Sequence, residues 1–321
     1  MAPLEGVTDR TYRSCFYDHF PGLTASLTPF LPIPDRVKRV PLSNLNGVCL
    51  PGESPVPEIP QLLVSESEAF LVALEALRRK GFKEVNWNMG CPSKGVIRKG
   101  KGSGLMPQTS HILNVLDEII PRTDLKISVK LRMGLHDSDE LFRLLPILKR
   151  YPLSRLILHP RLGTQMYSGS VDLEGFEKAQ DLYGKAICYN GDINSIQDYF
   201  GLKNRLPLVE EWMIGRGLLA NPFLLEDILN TPNSLESEGS LEGQDPFKRQ
   251  EFYVFLDDLL FRMKESFTKK HALWNYMKGI LNYTFSLPGV SEESRRELFS
   301  IKDERDWNLL KEKLYNQCQD Q

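Results

Sequence analysis

Apolar residues along this chain recur with two different periods, and the change from one to the other divides it. Up to about residue 230, short apolar runs rich in β-branched side chains fall at Ile59–Val64, Glu84–Asn88, Ile127–Leu131, Leu156–His159, Ala186–Tyr189 and Glu211–Ile214. Met1–Leu4 and Leu23–Leu27 are shorter candidates of the same kind. Between these runs the spacing becomes helical, as in Ser67–Lys80, Ser110–Ile120 and Asp139–Lys149. Strands alternating with helices predict a parallel α/β fold.

Polar or glycine-bearing residues follow the strands directly: Asn88 to Cys91, Lys130 with Arg132, His159 with Arg161, Asn190 to Asp192, and Gly215 to Gly217. Successive groups are separated by roughly 25 to 40 residues, enough for one crossover unit each. In a TIM (β/α)8 barrel such strand ends converge on one face, where the active site lies. A doubly wound sheet would show G-x-G-x-x-G after an early strand, and none is there.

Past Leu229 the pattern fades. Residues 231–244 are rich in Pro, Asn, Ser, Gly and Glu and predict a linker. From 245 to 321 only helical spacing remains, with Phe252, Phe255, Leu256, Leu259 and Leu260 on one stripe and Leu273, Met277, Ile280 and Leu281 on another. The expected organisation is therefore a barrel over residues 1–230, a linker, and a small all-α domain over 245–321.

Composition narrows the class. No apolar run approaches the ~20 residues that span a bilayer, and no signal-peptide pattern opens the chain. No membrane partner and a cytoplasmic location are expected. The five cysteines are scattered without a CxxC, which argues against a disulfide framework and a zinc site, so no metal is expected. A net charge of −2 is a weak argument against a nucleic-acid partner, because charge is often segregated on a surface.

The segment Asn88-Met89-Gly90-Cys91-Pro92-Ser93-Lys94, followed by Gly100 to Gly104, is the most distinctive. A thiol past a strand end is either a small buried hydrophobe or an acid or nucleophile. The polar neighbours and the Gly-Cys-Pro turn favour chemistry. This segment resembles the signature of the tRNA-dihydrouridine synthases. The resemblance extends to Ala2-Pro3-Leu4-Glu5-Gly6-Val7-Thr8-Asp9, Gln61-Leu62-Leu63, Lys130-Leu131-Arg132-Met133-Gly134, His159-Pro160-Arg161, Asn190-Gly191-Asp192 and Ile214-Gly215-Arg216-Gly217. The Glu5-Gly6 pair and the Cys-Pro-Ser-Lys ending are most similar to the bacterial C-type subfamily.

The resemblance implies reduction of the C5=C6 bond of a uridine in tRNA. NADPH reduces FMN, the flavin delivers hydride to C6, and Cys91 supplies the proton to C5. It implies FMN contacts from Pro3, Leu4, Glu5, Gln61, Lys130, His159, Asn190, Gly191, Asp192, Gly215 and Arg216. Lys130 suits the N1/O2 edge of reduced flavin, where negative charge gathers. The glycines after the last two strands suit a barrel phosphate site. On the substrate side it implies Asn88, Arg132, Arg161 and Tyr167, with Lys278 in the helical domain. Lys269-Lys270-His271, Trp274 and Tyr276, together with Arg98, Lys99 and Lys101 in the loop after Cys91, add cations and aromatics suited to tRNA.

Two departures stand out. The family carries apolar residues ahead of its Ala-Pro-Met, whereas here strand one must be very short or start upstream. His-Pro-Arg replaces His-Gly-Arg, which removes one N–H and fixes a φ. Two alternatives compete with the main reading. An FMN barrel acting on a small molecule leaves the Cys-Pro-Ser-Lys loop and the helical domain unexplained. A tRNA-binding protein without catalysis leaves Cys91, Lys130 and His159 unexplained. A monomer is expected.

Overall fold

A computed structural model describes residues 1–38, 45–231, 246–287 and 290–319. These pack as two compact units, one of residues 1–3, 25–191 and 203–213, the other of residues 4–24, 192–202 and 214–321.

In the first unit every strand pairing is parallel. β1 (Ser26–Leu27) and β2 (Leu31–Pro32) lie along β3 (Glu58–Ile59) and β4 (Gln61–Leu63) respectively. Pro60 has no N–H to give a ladder, so a single bent stave is broken into two short strands. From β4 the sheet runs through β5 (Glu84–Met89), β6 (Lys126–Gly134), β7 (Arg155–Leu162) and β8 (Cys188–Tyr189). Tyr189 then bridges to Trp212. At the opposite edge the Met1 amine donates to Ala25 O at 2.9 Å, and Leu27 N donates to Met1 O at 3.2 Å. Eight parallel staves result, beginning near Met1, Ser26, Glu58, Glu84, Lys126, Arg155, Cys188 and Trp212. Ala2, Leu27, Ile59, Ile157, Cys188 and Met213, drawn from six of them, meet in one buried cluster. That is an interior barrel layer, built as period-2 alternation dictates. The TIM-barrel expectation holds.

Helices are numbered along the chain. α1 (Arg10–His19) belongs to the second unit. α2 (Ser67–Arg79), α3 (Lys94–Ile97), α4 (Thr109–Ile119), α5 (Asp139–Leu148) and α6 (Leu173–Tyr183) belong to the first. α4 buries Ile112, Val115, Leu116 and Ile119, one stripe of a 3.6-residue period. α5 does the same with Leu141, Leu144, Leu145 and Leu148. Each such side chain contributes about 1.5–3 kcal/mol on burial. The Asp172 carboxylate accepts from Gly175 N to start α6, and left-handed Gly184 ends it.

α7 (Ile196–Arg205) leads to the later helices. In the second unit α8 (Arg216–Ala220), α9 (Leu224–Asn230), α10 (Gln250–Ser266), α11 (Lys270–Thr284), α12 (Glu292–Ser300) and α13 (Glu304–Gln319) gather with α1. The described residues past 246 form helices and no strand. Phe255 of α10 meets the rings of Tyr12, Phe16 and Phe20 at 6.1, 6.3 and 5.0 Å. Asp258 accepts from His19 Nε2 at 2.8 Å and from Arg262, which also reaches Asp18. Thr284 Oγ1 donates to Leu219 O at 3.0 Å. The second unit thus includes α1, α8 and α9, segments that precede residue 231 in the chain. The linker expected at 231–244 lies, but for Thr231, outside the described residues.

Candidate active site at the strand ends

Alternation along β5, β6 and β7 puts Asn86 and Asn88, then Ser128, Lys130 and Arg132, then Ile157, His159 and Arg161 on the same side of the sheet. Ile157 lies in the interior layer, so that side faces the barrel axis. The register sets Gln61 beside Asn86 and Asn86 beside Ser128. It also sets Asn88 beside Lys130, and Arg132 beside His159. Six of the residues singled out in the sequence (Gln61, Asn88, Lys130, Arg132, His159 and Arg161) thereby converge at the carboxyl end of one set of staves.

Cys91 sits two residues past β5 and is half-buried. The turn that presents it is held from both sides. Asn88 Oδ1 accepts from Gly90 N at 3.1 Å and from Cys91 N at 2.9 Å. Cys91 O accepts from Ser103 N and from Ser103 Oγ, each at 3.0 Å. Gly102 makes this closure possible, with φ +58° and space so tight that a Cβ would lie 2.7 Å from Cys91 O and 2.9 Å from Cys91 Cβ. Gly104 is similarly pressed, against Ile97 O. The glycine-rich stretch serves to pack the loop onto the thiol-bearing turn.

Beneath the turn lies a fully buried row of amides. Asn88 Nδ2 donates to Gln61 Oε1 at 2.7 Å, Gln61 Nε2 to Asn86 Oδ1 at 2.8 Å, and Asn86 Nδ2 to Ser128 Oγ at 3.0 Å. Asn86 and Ser128 are functional candidates that the sequence reading passed over. Their signal was present: each is a polar residue inside an apolar strand, on the inward parity shared with Asn88 and Lys130.

Lys130 is half-buried, and among the described residues its ammonium has no hydrogen bond or ion pair. Burial pulls it down to about 7, and the neighbouring Arg132 charge acts in the same direction, against Cys188 and Cys91. Arg132 is 2% exposed. Its Nε donates to Gly90 O at 3.0 Å, and its Nη1 donates to Leu162 O at 2.9 Å and Met166 O at 2.6 Å. Its guanidinium also lies 5.4 Å from the exposed Tyr167 ring. Burial lowers the Arg132 pKa as well. Arg161 is buried, gives Nε and Nη2 to Gly169 O, and places Nη1 3.2 Å from His159 Nε2. The His159 and Tyr167 rings are 6.2 Å apart. Cys188, by contrast, is sealed in the barrel interior, where burial pushes its thiol up to about 12. It stays neutral and packs.

Asn190 Nδ2 donates to Met213 O at 2.8 Å, tying the last two staves together. At Gly191 a Cβ would come within 3.0 Å of Val171 Cγ1 and 3.1 Å of the Tyr189 hydroxyl. In the second unit Asp192, with φ +32°, accepts from Arg216 Nη2 at 2.7 Å. Gly215 is the residue before α8, and a Cβ at Gly217 would lie 2.1 Å from Ile193 O, so close packing fixes that glycine. Pro3 is half-buried at the end of the first stave, in the first unit. In the second, Leu4 N donates to Thr8 Oγ1 at 2.9 Å, and Glu5 is exposed in the turn before α1.

The cationic candidates divide. Lys101 is no surface charge: it is 6% exposed, and its Nζ donates to Ile33 O at 2.7 Å and lies 2.6 Å from Asp35. Lys269, Lys270 and His271 are exposed. Lys278 Nζ donates to Phe299 O at 3.0 Å. Trp274 is buried among the helices, and the Tyr276 hydroxyl donates to Val7 O at 2.7 Å. These two aromatics are framework and are not displayed for base stacking. No described helix is long and apolar enough to cross a membrane.

Comparison with known proteins agrees with this geometry. The probable tRNA-dihydrouridine synthase of Staphylococcus epidermidis is 29% identical over 260 residues, covering 75% of this chain and 74% of that protein. The tRNA-dihydrouridine synthase B of Proteus vulgaris is 26% identical, over 71% of this chain and 69% of that protein. That relative carries the subfamily letter B, whereas the sequence signature is most similar to the C-type. Morphinone reductase superposes with a TM-score of 0.51 at 13% identity, over 76% of this chain and 88% of its own, a likeness of fold. The dihydrouridine synthase family model matches residues 1–319. The chain therefore belongs to the dihydrouridine synthase family of flavin-dependent oxidoreductases.

Proposed function

We propose that this protein reduces the C5=C6 bond of a specific uridine in tRNA to 5,6-dihydrouridine, with FMN as its flavin and NADPH as the reductant. The observation that carries the reading is the Cys91 turn, held over a row of oriented amides beside a lysine with no partner among the described residues. Reduction adds a hydride and a proton across C5=C6; a bound flavin would supply the hydride, and Cys91 the proton.

The residues of the barrel mouth fit such a group. Lys130, a half-buried cation without a hydrogen bond or ion pair among the described residues, suits the edge of an isoalloxazine that gains negative charge on reduction. Gln61 offers an amide whose orientation is fixed. Pro3, Leu4, Glu5 and His159 are assigned to the flavin, and Asn190, Gly191, Asp192, Gly215 and Arg216 to its phosphate, on the sequence signature. Asn88, Arg161 and Tyr167 are assigned to the uridine. Cys91 gives its Sγ proton to C5, and the resulting thiolate is reprotonated from solvent. Arg132 is likewise assigned to the uridine, while its Nε and Nη1 donate to three carbonyls and hold the Cys91 turn and the Tyr167 loop together. Residues 245–321 serve as the tRNA-binding domain, with Lys278 and the exposed Lys269 and Lys270 facing phosphate. A tRNA substrate places the work in the cytoplasm, and the protein acts as a monomer.

Protein reduced by NADPH is mixed with tRNA lacking dihydrouridine or with free uridine, and flavin reoxidation is followed at its visible absorbance band. Rapid reoxidation by tRNA alone, with dihydrouridine at one position, is expected. Reoxidation by free uridine and not by tRNA would replace the assignment with a small-molecule reductase.

A further inference from the structure

The buried amides under Cys91 form a chain with one direction. At one end stand two backbone N–H groups, Gly90 and Cys91, which can only donate. Asn88 must therefore present its oxygen to them and its nitrogen to Gln61. Gln61 must then present its oxygen to Asn88 and its nitrogen to Asn86, and Asn86 its oxygen to Gln61 and its nitrogen to Ser128. Ser128 accepts from Asn86 and turns its own O–H to Val85 O at 3.3 Å. A group that can only donate lies at one end and a carbonyl that can only accept at the other. Every amide between them has a single allowed orientation, since reversing one would set donor against donor at the next. Gln61, Asn86 and Ser128 are each at most 1% exposed, so water cannot repair a reversal.

We propose that Ser128 and Asn86 are positioning residues which, by anchoring this relay, hold the Gln61 and Asn88 amides in place and with them the presentation of the Cys91 thiol. Neither touches the thiol; both act through the amides next to it. The inference rests on the assignment of Cys91 as proton donor for its catalytic consequence, though not for its structural one.

The test compares Ser128→Ala, Ser128→Thr and Asn86→Leu in the flavin-loaded protein. Ser128→Ala leaves Asn86 Nδ2 buried without its acceptor, so the row loses its anchor on β6 and Asn86, then Gln61 and Asn88, are held less firmly, although the Gly90 and Cys91 N–H groups still set its sense. Turnover at saturating tRNA is expected to fall roughly tenfold, the effect of about one hydrogen bond, with the KM for tRNA unchanged. Asn86→Leu is expected to do at least as much, and Ser128→Thr, which keeps the hydroxyl, to restore the rate. The second readout needs no tRNA: alkylation of Cys91 by iodoacetamide, followed by mass spectrometry, is expected to change severalfold in Ser128→Ala and to return to the wild-type rate in Ser128→Thr. Wild-type alkylation and turnover in Ser128→Ala would overturn the relay, as would equal loss in the Ala and Thr variants with melting lowered alike. A wild-type protein that leaves tRNA unreduced would sink the functional assignment and leave the alkylation comparison standing.

Discussion

The barrel mouth and the helical unit use polar residues in opposite ways. At the mouth, Asn88, Gln61, Asn86, Arg132 and Arg161 are buried, and each has donors or acceptors committed to named protein atoms. Lys130 is the contrast within that setting, a charge without a partner among the described residues. On the helices, Lys269 and Lys270 stand in solvent, and packing falls to aromatic and aliphatic side chains such as Phe255 and Trp274. The difference suits what each region is proposed to recognise. Proton delivery to one carbon needs angles and distances held closely, to within a few tenths of an ångström, which only buried, directional hydrogen bonds provide. Attraction of a polyanion needs charge near phosphate and tolerates motion, which exposed lysines provide.

The comparison breaks most sharply at Cys91. Cys91→Ala is expected to fold and retain flavin while turnover on tRNA drops ~10²–10⁴-fold, the usual consequence of removing a general acid. Single-turnover mixing of the reduced variant with tRNA checks this. A variant with near wild-type rate would mean that the proton comes from elsewhere.

A smaller effect is expected at Lys130, and its sign is fixed by burial. Its ammonium sits near 7 in the folded protein, against an ordinary lysine value of about 10.4 when unfolded. Between those values the unfolded chain holds the proton and the folded protein does not, so this group adds stability as pH rises through that window. Below about pH 7 both states are charged, and the full cost of a buried cation remains. Flavin-free wild type should therefore gain in denaturation midpoint relative to Lys130→Met between pH 7 and 10, and the variant should hold flavin more weakly. Parallel pH curves for the two proteins would show that Lys130 is solvated after all.

Gly102→Ala tests the support of the turn. The added methyl would meet Cys91 O at 2.7 Å at a left-handed φ, so a loss of about 1–3 kcal/mol in denaturant unfolding is expected. Turnover should fall with it, because the same close approach positions the thiol. An unchanged midpoint would mean that the loop yields without strain.

Much of the mouth was legible in the sequence because a strand's parity is. Once β5 and β6 are placed, Asn88, Lys130 and Arg132 must share the inward face. The partner of each inward residue was not legible. That Arg132 gives Nε and Nη1 to Gly90, Leu162 and Met166 carbonyls could not be read from its own position. Lys101 reads as part of a basic loop until Asp35, far away in sequence, is found beside it. The association of α1 with α10 was hidden for a similar reason. It depends on Phe255 meeting Tyr12, Phe16 and Phe20, ring pairs between distant parts of the chain that no local period reveals. The strand at Glu211–Ile214 was expected from an apolar run, but it survives only as the Tyr189–Trp212 bridge.

The smallest effects should come from the lysines, and they sharpen the contrast between exposed and committed charge. Replacing Lys269, Lys270 and Lys278 together with alanine should weaken tRNA binding severalfold. It should also flatten the dependence of log K on log salt by roughly one unit for each phosphate that is no longer neutralised. Lys278 already donates to Phe299 O, so its share should be the least of the three, and Lys278→Ala alone should cost less than Lys269→Ala or Lys270→Ala. Reduction of the flavin by NADPH without tRNA should hardly change. Lys101→Met is the counterpart from the barrel. Its ammonium is buried against Ile33 O and Asp35, so it releases no counterion on binding. Its loss should lower the denaturation midpoint and leave the salt slope as it was. Equal slopes for the triple variant and wild type would show that phosphate is met elsewhere. A flattened slope in Lys101→Met would show that the loop after Cys91 opens to give its lysine to the tRNA, and the division between oriented mouth and charged helices would have to be redrawn.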